Sequence, residues 1–403
     1  MSRKAVYVHI GLPKTGTTYI QSSLWESRSG LASAGCLVPG ETRVAKWRAV
    51  SDLLGRRPQG AEAHDIDGSW NAFTEVIRDW HGDRVVFSEE LLVTAGRRQV
   101  QQLVRSLSPA EVHAVVTVRD LARMLPSAWQ QEVKKGRTWQ FDEFVSAVRE
   151  PGSGPPTAAA AYWLRFDVPR ILQTWERAIP AANVHVVILP PSGAPASVLL
   201  ERFADVVGVD ADALEAAPRE QANAALGLAE VEVLRRLNVG LAGQLNERQY
   251  ARAVVQSVVP LLQDRATSGR LALPVEHRAW ATEQSAHLVE FLKTSPYDVV
   301  GPLDDLVPPP VSPGASQRDD LDEAQLVEPL TAALTEVCSK YARYWWQVRR
   351  PESVLTSDSS VRLASSARAL RYKAKARILQ PADTNKMVGR VARAYLKRRS
   401  SRP

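Results

Sequence analysis

Five short apolar runs punctuate the first half of the chain, and turn-forming residues bound each one. They fall at residues 5–10 (Ala-Val-Tyr-Val-His-Ile), 35–38, 84–88, 112–118 and 184–189. β-Branched and apolar side chains on both faces mark strands of a parallel sheet covered on both sides. Between and after them the period changes to that of helices, at 17–24, 44–54, 70–80, 99–106, 196–207 and 226–237. Strands alternating with helices predict an α/β fold: a central parallel sheet of about five strands in three layers. Asp167 stands as the cap of a further helix with Pro169 in its first turn, and Trp163, Phe166, Ile171, Leu172 and Trp175 around it form an apolar stripe that reads as core. Ligands of such sheets sit beyond the carboxyl ends of the strands. The loops after Ile10, Val38, Phe87 and Val118 are therefore where chemistry is expected.

The last quarter reads differently. Proline, serine and glycine crowd the stretch around 306–320, which reads as a linker after a domain spanning 1–305. A long helical pattern at 321–349 follows as a C-terminal extension, with Leu326, Leu330, Leu334, Val337, Tyr341 and Trp345 on one side and Pro329 as a kink or a start. Residues 350–403 form a basic tail in which Leu363, Ala367, Leu370, Ala374 and Ile378 share a helical stripe. The net charge of +7 belongs to it: residues 361–403 hold thirteen Lys/Arg against one acid, Asp383, so the rest is net acidic. Such a tail can lie on anionic lipid or remain a solvated terminus. Tyr372 and Tyr395 are its only stacking residues, which argues against nucleic acid.

Cys36 and Cys338 stand far apart, without a metal-ligand cluster, which suits a reducing compartment. The chain shows neither a membrane-length apolar run nor a signal-peptide core. The expectation is a cytoplasmic protein, peripheral to the inner membrane face if the tail binds lipid.

The stretch His9-Ile10-Gly11-Leu12-Pro13-Lys14-Thr15-Gly16-Thr17-Thr18 joins the first strand to the first helix. Its glycines let the backbone turn and approach a ligand. The free N–H groups and dipole of the first helical turn make an anion site, to which Lys14 and the hydroxyls of Thr15, Thr17 and Thr18 add donors. The nucleoside-triphosphate loop places lysine directly after its second glycine. Here the Gly11-to-Gly16 spacing is kept and Thr18 takes the Ser/Thr place, but Thr17 stands where that lysine would be.

This PKTGTT loop after a strand resembles the phosphosulfate loop of sulfotransferases that use 3′-phosphoadenosine 5′-phosphosulfate (PAPS). In that family an arginine at a strand end and a serine eight residues on hold the 3′-phosphate; Arg119 and Ser127 have that spacing and context. The reading without the family makes Arg119 a surface ion-pair partner of a nearby acid. Residues 30–40, 163–175, 184–191 and 297–303 look like segments of the bacterial sulfotransferase-like proteins common in actinobacteria, so the resemblance covers about 5–305. It implies a P-loop-type fold, PAPS as co-substrate without a metal, and carbohydrate, glycolipid or small-metabolite sulfation. Lys14 would steady charge on the sulfuryl oxygens, with Lys14, Thr15, Gly16, Thr17 and Thr18 around the 5′-phosphate.

The acceptor also needs a base. Glu89, after the third strand, is the first choice; its alternative reading is an acid complementing a helix dipole. Glu90, Glu41 and His64 are the other candidates, and residues 45–48 lack the histidine that several relatives carry there. Two other classes fit the loop: a small-metabolite kinase, against which the displaced lysine speaks, and a non-catalytic nucleotide-binding protein held at a membrane by its tail. The acceptor and the oligomeric state have no signature in the sequence.

Overall fold

The computed structural model describes residues 3–57, 65–215, 226–264, 268–269, 271–308 and 321–348. Residues 58–64 with His64, the 221–224 stretch, most of the Pro-rich linker and the whole basic tail lie outside the described residues. Two units divide the chain, Met1–Val337 and Cys338–Pro403. The first holds the sheet; the described part of the second is helical.

Six parallel strands form one sheet: β1 (Ala5–His9), β2 (Cys36–Leu37), β3 (Arg84–Ser88), β4 (Glu111–Val118), β5 (Val184–Ile188) and β6 (Asp298–Val300). Their order is β2-β3-β1-β4-β5-β6. Five of them answer to the apolar runs. β6 was not expected as a strand: it is three residues long, begins on an exposed aspartate and carries no alternation. It pairs with β5 through His185↔Asp298.

Period-2 geometry separates the two faces of each strand. Along β4, Val112, Ala114, Val116 and Val118 join the larger core, while Val115 faces the smaller one with Ile20, Leu24, Val187 and Phe203. Helices cover both faces, so the strands are mostly apolar, as parallel sheets require, with His9, Ser88 and Thr117 among the buried polar exceptions. Burying each Leu, Ile or Phe of these clusters is worth about 1.5–3 kcal/mol.

The chain runs from β1 outward to β2, and from β4 outward to β5 on the other side. The order of connections therefore reverses between β1 and β4, where a crevice opens beyond their carboxyl ends. The two sequence motifs leave the sheet at this crevice: the glycine loop follows β1 and Arg119 follows β4.

The expected helices appear within a few residues, at Ala45–Leu53, Ser69–Asp79, Arg97–Ser106, Ser197–Val207 and Leu228–Leu241. The last one runs Glu323–Val348. Its packing departs from the expected stripe: Leu326 and Ala333 are buried, whereas Leu330, Leu334 and Val337 are exposed. Among the described residues, no helix is long and apolar enough to cross a membrane.

Candidate active site

The glycine loop takes the form its residues demand. Gly11, Lys14 and Gly16 all have positive φ, at 58°, 71° and 82°. Gly16 is the N-cap of α1 (Thr17–Glu26) and supplies no side-chain cap. A Cβ on Gly16 would collide with Leu199, and one on Gly11 with the Thr17 methyl. Both glycines therefore satisfy packing as well as φ. The helix start is left with N–H donors facing the loop, the arrangement that receives an anion.

Behind the loop runs a buried polar chain. Thr15, fully buried, donates from Oγ1 to the Leu12 carbonyl at 2.6 Å and lies 2.5 Å from Thr117 Oγ1. Thr117 Oγ1 is 3.2 Å from His9 Nε2, and His9 Nδ1 is 2.7 Å from Ser88 Oγ. Gln21 Nε2 donates to Ser88 Oγ at 3.2 Å. One donor assignment satisfies every link: Ser88 donates to Nδ1, Nε2–H donates to Thr117, and Thr117 donates to Thr15. The side chain expected at the phosphate thus faces inward. Its N–H also bonds the Leu12 carbonyl, at 3.3 Å, because a residue under a tight loop meets its backbone first. Thr15 positions the loop.

His9 gives this chain a pH signature. Burial holds its imidazole down at about 3, and the Lys46 charge pushes the same way. Between about pH 6.5 and 3 the unfolded chain takes up a proton that the folded one refuses, so stability falls on acidification. From His9 alone the loss between pH 7 and 5 is about 2 kcal/mol. Urea unfolding of wild type and His9→Asn at both pH values checks this: the variant should lose less, and equal losses would remove His9 as the cause.

Thr17 is the next departure. Its hydroxyl donates to Glu90 Oε1, so it too is engaged within the protein. Thr18 follows on the first turn, partly exposed. Glu90 lies against the loop, close enough to Lys14 to oppose the effect of burial, which lowers the ammonium pKa. Burial also raises the Glu90 carboxyl, against the Thr17 hydrogen bond and the Lys14 charge. Glu89 stands one residue earlier as the N-cap of a short 3₁₀ turn, accepting from the Leu91 N–H at 3.4 Å. Burial raises its carboxyl, with Lys46 as the main opposing charge. The helix-terminal role and burial at the sheet end therefore coexist in Glu89. Glu41 is exposed in a bend.

On the β4 side, Asp120 caps the helix Leu121–Lys134 and binds Arg123, through its backbone N–H at 2.9 Å and its guanidinium. The nearby acid is thus taken by Arg123. Arg119 instead reaches across the crevice and donates from Nη1 to the Lys14 carbonyl at 2.9 Å. This bond ties the two motifs together and holds a lysine in a conformation L-residues avoid. Ser127 lies six residues into the helix, partly exposed.

Two cations at the site were missed in the sequence. Lys134 follows Ser127 by seven residues, two turns down the same helix face. Burial first, and the charge of Lys14 second, push it down to about 8. Lys46, on the helix Ala45–Leu53, is likewise lowered by burial, with Glu89 and Glu90 opposing. The i+7 spacing from Ser127 was a usable signal for Lys134. Lys46 carried no such signal, standing among residues 45–48 like any surface lysine.

Lys134 and Arg119 therefore both lie in the field of Lys14, with Glu90 as the opposing charge there. Buried ammonium groups with lowered pKa values are stabilised by an incoming anion, and the donor set suits phosphate. No group of three or more His, Cys, Asp or Glu able to hold a metal ion occurs among the described residues.

No family model and no curated protein matches the chain. Among solved structures, a sulfotransferase from Alicyclobacillus acidocaldarius is similar to it at 13% sequence identity and a TM-score of 0.36, over 62% of this chain and 100% of that one.

Proposed function

We propose that the chain transfers a sulfuryl group from PAPS to a hydroxyl or amine of a glycan, a glycolipid or a small metabolite. The observation that carries this reading is the Arg119–Lys14 hydrogen bond across the crevice. The bond joins the loop after β1 to the arginine after β4, which supports a ligand with two separate phosphates, one for each.

PAPS supplies the activated sulfuryl group: its sulfur–oxygen bond to the 5′-phosphate breaks as one to the acceptor forms. The first-turn N–H groups with Gly16 and Thr18 hold the 5′-phosphate, and Arg119 with Ser127 holds the 3′-phosphate. Lys14 and Lys134 steady the negative charge that develops beside the loop. Glu89 takes the acceptor proton. Burial raises the carboxyls of both Glu89 and Glu90, but Glu90 Oε1 already accepts from the Thr17 hydroxyl, which leaves Glu89 the better placed of the two. Turnover of Glu89→Gln at saturating acceptor is expected to fall by about 10²-fold or more, the usual contribution of such a base. Full turnover would assign the proton elsewhere.

Thermal-shift titration tests the donor site. Adenosine 3′,5′-bisphosphate should stabilise the folded chain by about 2.7 kcal/mol at a hundred times its Kd, with ADP weaker. Stabilisation by ATP with magnesium alone would overturn this reading in favour of a kinase.

A further inference from the structure

Along α1, on its β2–β3 side, lies a narrow cleft of about 70 Å³. Leu24, Trp25, Val38 and Phe87 give it apolar walls, and Lys46 and Ser88 stand on its polar side. Its position couples it to the site: Ser88 directly precedes Glu89, and Lys46 lies in the field of both Glu89 and Glu90. A space this small takes a terminal charged group or the edge of a ring, and excludes a whole oligosaccharide.

Its charge is one-sided. The charged side chains lining it are Arg43 and Lys46, and no acid lines it. Arg43 is already matched: it pairs with Glu26 at 2.6 Å, contacts Ser22 Oγ at 3.3 Å and lies over the Trp25 ring. Lys46 has no such ion pair within contact distance among the described residues, although most of it is out of water. Its counter-charges, Glu89 and Glu90, are bound to other groups, the Leu91 N–H and the Thr17 hydroxyl respectively. A buried ammonium that faces an apolar-walled cleft lowers its energy when an anion enters.

We infer that this cleft is the acceptor subsite and that the acceptor carries a carboxylate or phosphate close to the hydroxyl it presents, on an apolar ring or chain, with Lys46 reading the anion. The inference rests on the sulfuryl-transfer reading for its use of the word acceptor; the charge preference of the cleft stands by itself. Trp25 and Phe87 would flank the apolar body, and Lys46 would hold the charge while Glu89 meets the hydroxyl. Lys46 is then a specificity residue, distinct from the loop that grips the nucleotide.

Three matched probes separate these ideas: mandelate, 1-phenylethane-1,2-diol and 2-amino-1-phenylethanol, which share a ring and hydroxyl and differ in charge. Dissociation constants are measured by calorimetry, with and without saturating adenosine 3′,5′-bisphosphate. Wild type should bind mandelate about tenfold or more tightly than the amino alcohol, with the diol between. Lys46→Glu should reverse that order, and Lys46→Met, which adds no third acid beside Glu89 and Glu90, should flatten it. Equal affinities, a preference untouched by either variant, or no binding by any probe would overturn the inference. If the bisphosphate fails to bind wild type, the sulfuryl-transfer reading falls, and the titrations without nucleotide still decide the cleft.

Discussion

Lys14→Ala is expected to lower kcat by about 10²–10³-fold, the cost of removing one preorganised group that meets charge developing in a transition state. Bisphosphate affinity should fall far less, because the first-turn N–H groups, Arg119 and Ser127 remain. The reason lies in how the lysine is held. Its φ of 71° is a conformation that costs a non-glycine residue roughly 1–2 kcal/mol. The Arg119 guanidinium fixes its carbonyl, and burial lowers its ammonium pKa against the pull of Glu90. A side chain strained and partly desolvated at a crevice is placed for what it does to a ligand, since packing alone would select glycine there. Lys14→Gly is the informative companion. It removes the same charge but relieves the backbone, so it should be more stable than Lys14→Ala by about 1 kcal/mol while losing the same turnover. Steady-state kinetics and urea unfolding on the three proteins give both numbers. An undiminished rate in either variant would remove Lys14 from the mechanism.

The parts of this site that were legible in the sequence are those set by local chemistry. Short apolar runs showed five strands, since a strand covered on both faces is mostly apolar and its few polar residues do not break the run. Gly11 and Gly16 marked the turn, and the shift from strand to helix around them marked an anion site. β6 was not legible because Asp298-Val299-Val300 is too short for a period and is half exposed. The direction of a hydroxyl is likewise not local. Whether Thr15 faces ligand or core depends on Thr117, which lies a hundred residues away and arrives only when β1 pairs with β4. Glu89 and Glu90 are adjacent in the chain, but the strand ends at Ser88 and a 3₁₀ turn begins at Glu90, which sends one toward Lys46 and the other toward Thr17. Lys46 and Lys134 look like ordinary surface lysines on amphipathic helices. Only packing shows that each is largely out of water.

Arg119→Ala should weaken adenosine 3′,5′-bisphosphate by about 100-fold, because a guanidinium–phosphate contact is charge-assisted and can be bidentate. It should also do something a simple ligand contact would not. The Nη1 bond to the Lys14 carbonyl disappears with it, so the loop loses the tie that holds Lys14 in place. Turnover at saturating donor should therefore fall as well. The effects of Arg119→Ala and Lys14→Ala on kcat should then be less than additive, as expected for residues acting through one another. Ser127→Ala, which leaves that tie intact, should weaken the bisphosphate modestly and combine additively with Lys14→Ala. Arg119→Lys sharpens the distinction. It keeps the charge but loses the planar fork, so it cannot bind a phosphate and reach the Lys14 carbonyl at once, and it should recover affinity more than turnover. A thermal-shift titration and a kinetic double-mutant cycle measure these quantities. Unchanged bisphosphate binding in Arg119→Ala would leave the loop after β1 as a lone anion site and return the triphosphate-dependent reading to first place. Additive losses in kcat would mean that the bond across the crevice holds the fold together without shaping the chemistry.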